Sequence, residues 1–460
     1  MTPDLSPRKA AYYTLGCKLN FAESSTIGKI LGDRGFRRAL PDEAPDICVI
    51  NTCSVTETAD KKGRSLIRRL SRQWPGATLV VTGCYAQLKP GEVASIEGVD
   101  IVLGSKEKLR IAEYLDRWEA SRKPIVESTR HNDIRTFDPS CERGERTRWW
   151  LKVQDGCDYY CTYCTIPFAR GRSRSGLIPD LVEQARRAAA SGAKEIVLTG
   201  VNVGEFGSDN GQDFLSLLRA LDAVVGIERY RISSIEPNLL TEEIIRWVAT
   251  EARAFMPHFH IPLQSGSDRV LRLMNRRYDT ALFASRIALI RDLIPDAFIG
   301  VDVIAGSRGE TPEEWERGLR FIEGLDVTRL HVFPYSERPG TAALMMNAPE
   351  VEPGERHRRA AALQRVSDAR ISALLRRSEG EVRTVLWEHV LHDDPTLMTG
   401  LTDNYIRVVA PAREELLNTT TPTLLSTPDP DREETIRGSI MEIPVDPAPL
   451  SAGDISTKSQ

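Results

Sequence analysis

The sequence predicts an α/β protein with three structured regions: an open parallel sheet, a partial (β/α)6 barrel and a small all-β barrel. Three patterns support this fold class. Residues 8–125 alternate short apolar runs with amphipathic segments, residues 143–377 repeat a strand and a helix six times, and residues 378–445 hold short strand candidates separated by turn residues. A chain of 460 residues is also too long for one ordinary core.

The N-terminal region reads as alternating strands and helices. Apolar runs at 11–15, 47–51 and 79–82 predict buried strands, and the segments 21–32 and 59–73 between them have helical spacing. This βαβαβ order predicts a parallel sheet with right-handed crossovers.

The polar residues 121–148 interrupt the pattern, and we expect a linker there. Strands are predicted at 151–154, 195–199, 230–233, 258–261, 298–304 and 329–334, with helices such as 179–191 and 280–293 between them. This repeat predicts a TIM-like partial barrel, closed by a helix at 353–377. Further strands are expected at 382–387, 405–409 and 435–440, and the small polar residues 446–460 are expected to be disordered.

The composition favours a cytoplasmic protein without a membrane span. Mean hydropathy is −0.30, no apolar run is long enough to cross a bilayer, and the first residues lack the apolar stretch of a signal peptide. Because that compartment keeps thiols reduced, the eight cysteines are expected to be ligands or reactive thiols rather than disulfides.

One group of cysteines has the spacing Cys-x3-Cys-x2-Cys. Cys157, Cys161 and Cys164 follow the first strand of the barrel region. Three thiolates on a 4Fe–4S cluster leave one iron open for chemistry, at the end of the strands where barrel active sites lie. A structural zinc loop or a redox pair is the alternative, but zinc sites favour paired Cys-x2-Cys units and no second pair or suitable histidine follows.

Three more cysteines each end a predicted strand. Cys17, Cys53 and Cys84 are expected to meet, because the carboxyl ends of neighbouring parallel strands share one edge. Glycine before Cys17 and Cys84 would let the backbone approach a bulky group. The alternative is three unrelated buried cysteines, of the kind that Cys48 represents inside its apolar run. Cys141, in the linker, matches neither group.

These motifs carry a resemblance to a known family. The Cys157 loop resembles the signature of the radical S-adenosylmethionine superfamily, and residues 14–20, 51–56 and 81–87 resemble the N-terminal domain of methylthiotransferases. Residues 231–237, 260–269 and 331–336 also fit, so the resemblance covers roughly residues 10–440. It is strongest to the branch that converts N6-threonylcarbamoyladenosine to its 2-methylthio derivative at position 37 of tRNA, beside the anticodon.

The resemblance implies cofactors and site residues. It implies two 4Fe–4S clusters, one on Cys157, Cys161 and Cys164 and one on Cys17, Cys53 and Cys84, with S-adenosylmethionine as radical source and methyl donor. It also implies contacts to S-adenosylmethionine from Tyr163, Gly200, Ser234, Glu236, Gln264 and Ser265. A turn at Gly200 and a cap at Gln264 and Ser265 are the plainer alternatives. Ser307 and Arg308 depart from the family pattern, which has Phe-Pro there.

The expected partners are tRNA and an electron donor such as flavodoxin or ferredoxin. Net charge is −4, but residues 378–445 carry five basic and 13 acidic residues, so residues 1–377 hold the positive excess. RNA contacts are therefore expected from the helical segment 59–73, at Lys61, Lys62, Arg64, Arg68 and Arg69, although such a run is often only a solvated helix face. A second candidate stripe comprises Arg356, Arg358, Arg359, Arg365 and Arg370.

The C-terminal module resembles the small RNA-binding barrel called TRAM. Its net charge of −8 is unfavourable for binding RNA phosphates, so Tyr405 is expected to contact unpaired bases instead.

Two kinds of alternative function stay open. The same chemistry could act on N6-isopentenyladenosine of tRNA or on a ribosomal-protein aspartate. From another class, the chain could be an iron–sulfur protein that binds RNA or transfers electrons without catalysis.

Overall fold

The computed structural model describes residues 7–143 and 147–441. They form two compact units. The first contains the residues up to Leu374 together with Asp403–Tyr405, and the second contains Leu375–Thr402 with the residues from Ile406 onward.

An open parallel sheet forms the N-terminal part of the first unit. Its order is β2-β1-β3-β4-β5-β6, and every neighbouring pair is parallel. β3 and β4 are buried along their whole length, which explains the apolar runs at 47–50 and 79–81 within them. The strands are β1 (Lys9–Thr14), β2 (Arg37–Arg38), β3 (Ile47–Thr52), β4 (Thr78–Gly83), β5 (Ile101–Leu103) and β6 (Ile125–Glu127), and the helices are α1 (Lys18–Asp33), α2 (Glu57–Gln73), α3 (Cys84–Leu88), α4 (Pro90–Ala94) and α5 (Ile111–Ser121).

The rest of the first unit alternates strands and helices. Its strands are β7 (Cys141–Glu142), β8 (Trp149–Lys152), β9 (Gln154–Asp155), β10 (Arg174–Ser175), β11 (Glu195–Thr199), β12 (Arg229–Ile232), β13 (His258–His260), β14 (Phe298–Ala305) and β15 (Arg329–Pro334). Its helices are α6 (Ile166–Arg170), α7 (Ile178–Ala190), α8 (Phe214–Asp222), α9 (Glu242–Thr250), α10 (Asp268–Leu273), α11 (Thr280–Leu293) and α12 (Pro312–Gly324). A long helix, α13 (Pro353–Arg377), follows.

Parallel pairing joins six of these strands into one row, which we call the central strand row. β8, β11 and β12 pair in parallel, as do β13, β14 and β15, and a parallel bridge between Ser234 and His260 links the two sheets. Alternate residues point to opposite faces. Residues such as Leu151, Leu198 and Val301 pack in the large hydrophobic core beneath the helices, and we call the opposite face the inner face.

The second unit is a closed β-barrel of order β16-β17-β18-β20-β19. Its strands are β16 (Val382–Val390), β17 (Leu397–Thr402), β18 (Arg407–Pro411), β19 (Thr420–Pro428) and β20 (Thr435–Ile440). Trp387 is fully buried in its core, and its indole nitrogen donates to Thr421 Oγ1 at 2.8 Å. The barrel is therefore anchored by an aromatic side chain whose one polar group has a partner.

The predicted α/β class with parallel sheets is confirmed. The expected linker, however, contains the edge strand β6 and the strand β7, which pairs antiparallel with β8. The division into residues 8–125, 143–377 and 378–445 stays a prediction, and residues 446–460 lie outside the described part of the chain. Among the described helices, none combines the length and apolar character that a membrane crossing requires.

Candidate active site

Three strand ends bring Cys17, Cys53 and Cys84 together. Cys17 caps the start of α1 after β1, Cys53 follows β3, and Cys84 begins α3 directly after β4. These strands are direct neighbours in the sheet, so their carboxyl ends share one edge. A Cβ atom on Gly16 would lie only 2.7 Å from Cys53 Cβ, which shows how tightly the first two strand ends meet.

Gly16 and Gly83 make this convergence possible. Both have positive φ values, 104° and 94°, which side chains rarely adopt. A Cβ atom on Gly83 would lie 2.3 Å from the Thr52 carbonyl oxygen. The sequence predicts that these glycines let the backbone approach a bulky group, which stays a prediction. The structure shows that they let neighbouring strand ends approach each other.

The three thiols fit a cationic cluster better than they fit an empty site. Burial and, to a smaller extent, the neighbouring Cys84 and Cys17 raise the pKa of Cys53 to about 12. Burial also raises the pKa of Cys84, although the nearby guanidinium of Arg170 lowers it in part. Three thiolates so close together need a positively charged partner, and an iron–sulfur cluster supplies one.

The second set lies in the loop between β9 and α6. Cys161 is buried, whereas Cys157 and Cys164 are partly exposed. The Tyr159 amide donates to Cys157 Sγ at 3.5 Å, the Ile166 amide donates to Cys164 Sγ at 3.4 Å, and Arg276 Nη1 donates to Cys161 Sγ at 3.1 Å. Each sulfur therefore accepts an N–H group, as cluster ligands commonly do.

The predicted contacts to S-adenosylmethionine follow the ends of the central strands. Gly200 follows β11, Ser234 and Glu236 follow β12, and Gln264 and Ser265 follow β13. Gln264 has a positive φ of 66°, and its backbone pairs with β14 at Val303. All five residues thus lie at the edge of the row where ligands of parallel α/β proteins bind.

Orphaned polar atoms at this edge also fit a bound ligand. Both polar atoms of the Asn202 side chain are buried without a hydrogen-bond partner among the described residues, and so is the hydroxyl of Ser233. A buried polar group without a partner is costly, so such groups indicate a ligand that the protein binds there. Asn202 lies two residues after Gly200, and Ser233 directly precedes Ser234.

Arg276 joins the cofactor residues to the cysteine loop. Besides Cys161 Sγ, its guanidinium donates to a carboxylate oxygen of Glu236. The sequence alone did not identify Arg276, because an arginine after a short helix carries no recognisable signal. Tyr163 is partly buried and lines a small recess with Met274, Ser307 and Arg308.

A buried network of charges lies between the two cysteine sets. Arg170 Nη1 lies 2.9 Å from Glu23 Oε1 and 3.1 Å from Asp155 Oδ1, and Lys108 Nζ lies 2.7 Å from Glu23 Oε1. Burial alone would raise the pKa of Glu23, but Arg170, Lys108 and Lys152 outweigh it and lower the pKa to about 2. The Nη2 atom of Arg170 also donates to Asn20, which in turn donates to the carbonyls of Leu15 and Thr52. Arg170 therefore links the helix that follows the cysteine loop to two of the cysteine-bearing strand ends.

The departure at Ser307 and Arg308 has a structural consequence. Arg308 Nη2 lies 2.6 Å from Glu337 and 3.5 Å from Glu350, so ion pairs hold the loop after β14. Ser307 is buried, and its hydroxyl has no hydrogen-bond partner among the described residues.

The predicted RNA contacts occupy two different environments. Lys61, Lys62, Arg68 and Arg69 are exposed on α2, whereas Arg64 is partly buried and bonds to Tyr85 and Glu92. Tyr405 belongs to the first unit, where its ring centroid lies 4.3 Å from that of His258.

The arginine stripe on α13 is engaged mostly in internal contacts. Arg356 and Arg359 are buried and paired with Glu350 and Glu310, and Arg370 donates to backbone carbonyls. Its expected role in RNA binding is therefore not supported for these three arginines.

Family models match two parts of the chain. Residues 9–104 match the uncharacterized protein family UPF0004, and residues 151–322 match the radical SAM superfamily. These ranges contain the first and the second cysteine set respectively.

Solved structures support the fold. The radical S-adenosylmethionine methyltransferase TsrM from Kitasatospora setae, with cobalamin and a [4Fe-4S] cluster bound, matches with a TM-score of 0.52 at 15% identity, covering 77% of this chain and 81% of that chain.

Curated relatives identify the family. The threonylcarbamoyladenosine tRNA methylthiotransferase MtaB of Bacillus subtilis is 38% identical over 88% of this chain and 91% of the relative, and that of Aquifex aeolicus is 37% identical over 73% and 82%. A tRNA-2-methylthio-N(6)-dimethylallyladenosine synthase from Thermobifida fusca is 35% identical over 77% and 74%. This chain belongs to the family of radical S-adenosylmethionine tRNA methylthiotransferases.

Proposed function

We propose that this protein converts N6-threonylcarbamoyladenosine at position 37 of tRNA to its 2-methylthio derivative. The observation that carries the proposal is the presence of two three-cysteine sites in one compact unit, linked by the buried network around Arg170. Identity of 38% to the Bacillus subtilis enzyme of that name supports the choice of nucleoside.

The proposed chemistry is divided between the two cysteine sites. When bound, a 4Fe–4S cluster and S-adenosylmethionine at Cys157, Cys161 and Cys164 supply the radical chemistry at C2 of the base, and a second cluster at Cys17, Cys53 and Cys84 supplies the methylthio group. The protein itself positions the groups: Glu236, Asn202 and Ser233 offer polar contacts to S-adenosylmethionine, and Arg276 fixes Glu236 beside Cys161. Cys161 and Cys84 are the buried members of their sets, whereas Cys17 is exposed.

The exposed face of α2 is the proposed binding surface for the RNA backbone. Lys62 and Arg69 line a cavity of about 510 Å³ together with Tyr12 and Tyr13, beside the strand that leads to Cys17. Cations next to aromatic rings suit an RNA loop, since the cations neutralise phosphates and the rings stack on bases. Lys61 and Arg68 extend the positive face along the helix.

The finer architecture belongs to the same proposal. The central strand row is proposed to be a TIM-like partial barrel, and the C-terminal barrel is proposed to be a TRAM domain that contributes to RNA binding. If so, deleting residues 380–460 weakens tRNA binding, as measured by filter binding at fixed ionic strength. A cytoplasmic location and an electron donor of the flavodoxin or ferredoxin kind complete the proposal.

Mass spectrometry of tRNA nucleosides tests the function. Cells with and without this protein are compared, with the Cys161→Ala variant as a control that is expressed but inactive. Loss of 2-methylthio-N6-threonylcarbamoyladenosine, with its parent accumulating, supports the proposal. If the 2-methylthio derivative of isopentenyladenosine disappears instead, the substrate assignment is wrong. If no methylthio nucleoside changes, the remaining candidates are a ribosomal-protein aspartate and a protein without catalysis.

A further inference from the structure

Helix α1 covers the inner face of the central strand row. Ala22, Trp150 and Val197 form a small buried cluster of their own, separate from the main core. Trp150 and Val197 are cross-strand neighbours whose flanking residues, such as Leu151 and Leu198, pack in that main core. Because side chains alternate along a strand, Trp150 and Val197 point to the inner face, and α1 lies on it.

Lys18 lies one helical turn before Ala22 and therefore on the same side of α1. It directly follows Cys17, so it connects the first cysteine site to the inner face. The charged or polar groups nearest its ammonium group are those of Tyr405, Arg148, Arg231 and Asp302. Across the described residues 7–143 and 147–441, no carboxylate lies within ion-pair distance of Lys18.

Three cations, Lys18, Arg148 and Arg231, outnumber the two carboxylates near them, Asp302 and Glu195, and Arg231 is paired with Glu195 at 2.9 Å. Arg148 Nη1 donates to the Tyr405 hydroxyl at 3.3 Å, and the Arg231 guanidinium lies 4.9 Å from the Tyr405 ring centroid. Burial alone would raise the pKa of Tyr405, but Arg148 and Lys18 outweigh it and lower the pKa to about 8. A phenol that ionises more easily in spite of burial marks an enclosed site that favours an anion.

Hydrogen-bonding side chains line the same face. His260 Nε2 lies 2.7 Å from Asp302 Oδ1, and the ring centroids of His260 and His331 lie 5.0 Å apart. Burial lowers the pKa of His331 to about 4, so this imidazole is neutral near pH 7. The ligand-type atoms of these three residues lie within 4.8 Å of one another, a spacing that a divalent cation could also use. The positive charges of Lys18, Arg148 and Arg231 oppose a cation here and favour an anionic, hydroxyl-bearing group.

We propose that Lys18 binds the carboxylate of the threonyl group carried by the substrate base, with His260 and His331 offering hydrogen bonds to the rest of that substituent. This assignment rests on the proposed function. In adenine, C2 and the carbon that carries the N6 nitrogen flank the same ring nitrogen, so a base with C2 at the Cys17 site directs its N6 substituent toward nearby residues. Lys18 follows Cys17 and points to the inner face, where such a substituent would enter. A dimethylallyl substituent has no charge, so Lys18 is a specificity-determining residue.

The test compares two RNA substrates with four forms of the reconstituted holoenzyme, one of which is a control. The substrates are anticodon stem–loops that carry either N6-threonylcarbamoyladenosine or its carboxamide analogue, in which a neutral amide replaces the carboxylate. The proteins are the wild type, Lys18→Met and Lys18→Arg. Lys29→Met is the control, because Lys29 lies on the same helix but is exposed and paired with Glu142 at 3.2 Å. Iron content of each protein establishes that both clusters are retained.

The wild type is expected to have a KM for the carboxylate RNA about 10- to 100-fold below that for the carboxamide RNA. Lys18→Met should remove this difference by raising KM for the carboxylate RNA alone, with kcat little changed, and Lys18→Arg should restore part of it. If the wild type has equal KM values for the two RNAs, the assignment is wrong. This comparison needs no variant, so it holds even if Lys18→Met loses its cluster. An equal loss on both RNAs in a Lys18→Met protein that keeps its iron would also overturn the assignment. If the wild type methylthiolates neither RNA, the proposed function itself fails and this assignment fails with it.

Discussion

The two cysteine sites are built in opposite ways. Cys157, Cys161 and Cys164 lie within eight residues of one loop, and backbone amides of that same loop donate to two of the sulfurs. Cys17, Cys53 and Cys84 come from three strand ends, and their proximity depends on the register of the parallel sheet. The loop site is therefore local in sequence, whereas the sheet site exists only when the N-terminal sheet is folded.

This difference indicates which substitutions should disrupt each site. The geometry of the loop site should tolerate substitutions in the N-terminal sheet. The electronic properties of its sulfurs should depend on the groups that contact them, such as Arg276. The sheet site responds to any change that separates the strand ends, including changes at Gly83 or at the distant Arg170. Substitutions chosen on this basis should damage one site and spare the other.

Removal of single ligands should produce the largest effect. If each cysteine set holds a 4Fe–4S cluster as proposed, Cys84→Ala and Cys161→Ala should each abolish methylthiolation and lower the iron content of the anaerobically reconstituted protein from about eight to about four atoms per chain. Each variant should lose only its own cluster, because the two sets share no cysteine. Cys48→Ala is the control, since this buried thiol lies within β3 and belongs to neither set. Loss of all iron from either variant would contradict the independence of the two sites.

Arg170→Met should cause the next largest effect. It leaves the carboxylates of Glu23 and Asp155 buried with fewer cations, so the free energy of unfolding should fall by about 3–5 kcal/mol. Denaturation by urea, followed by tryptophan fluorescence, measures this change. The sheet site should also lose iron more readily than the loop site, because Asn20 loses its contact with Arg170.

Arg187→Met is the matched control for Arg170→Met. The Arg187 side chain is 70% exposed and its nearest carboxylate, on Glu183, is 3.9 Å away, so its removal should change stability by less than about 0.5 kcal/mol. Equal stability of the two variants would contradict a structural role for the buried network.

The same contrast explains what the sequence could and could not predict. The Cys157 loop, α2, α11 and α13 were predicted because ligand spacing, helical periodicity and capping residues are local signals. Convergence of Cys17, Cys53 and Cys84 was predicted only through the βαβ rule, since parallel strands must share an edge.

The buried network was not predicted at all. Glu23 and Arg170 are 147 positions apart, and each reads in sequence as an ordinary surface charge. β17 and β19 were also missed, because a glycine in β17 and the prolines in β19 interrupt the strand pattern. The arginine stripe on α13 was misread because a helical run of arginines does not reveal which of them find internal carboxylates.

Gly83→Ala should have a smaller effect than Arg170→Met, confined to the sheet site. The added methyl group would meet the Thr52 carbonyl at 2.3 Å and would require a φ of 94°, so stability should fall by about 1–3 kcal/mol. Iron at the sheet site should become labile to a chelator, while iron at the loop site should not. Gly76→Ala is the control, because a Cβ atom there would meet nothing within 4 Å beyond its chain neighbours and the φ of Gly76 lies outside the left-handed region. If Gly83→Ala kept both clusters with full chelator resistance, the close approach of β3 and β4 would not be needed for the sheet site.

The smallest effect is expected at the loop site, from Arg276→Met. This change removes the N–H group donated to Cys161 Sγ at 3.1 Å and a positive charge beside the thiolate, so the reduced cluster is stabilised less. The midpoint potential of the loop cluster should therefore fall, while that of the sheet cluster stays constant. Redox titration followed by electron paramagnetic resonance, on variants that keep only one cluster, measures the two separately. Arg277→Met serves as the control, since Arg277 stacks on Tyr159 and donates to the Asp158 carbonyl rather than to a sulfur. An equal shift in Arg277→Met, or in both clusters of Arg276→Met, would mean that net charge, and not the contact with Cys161, sets the potential.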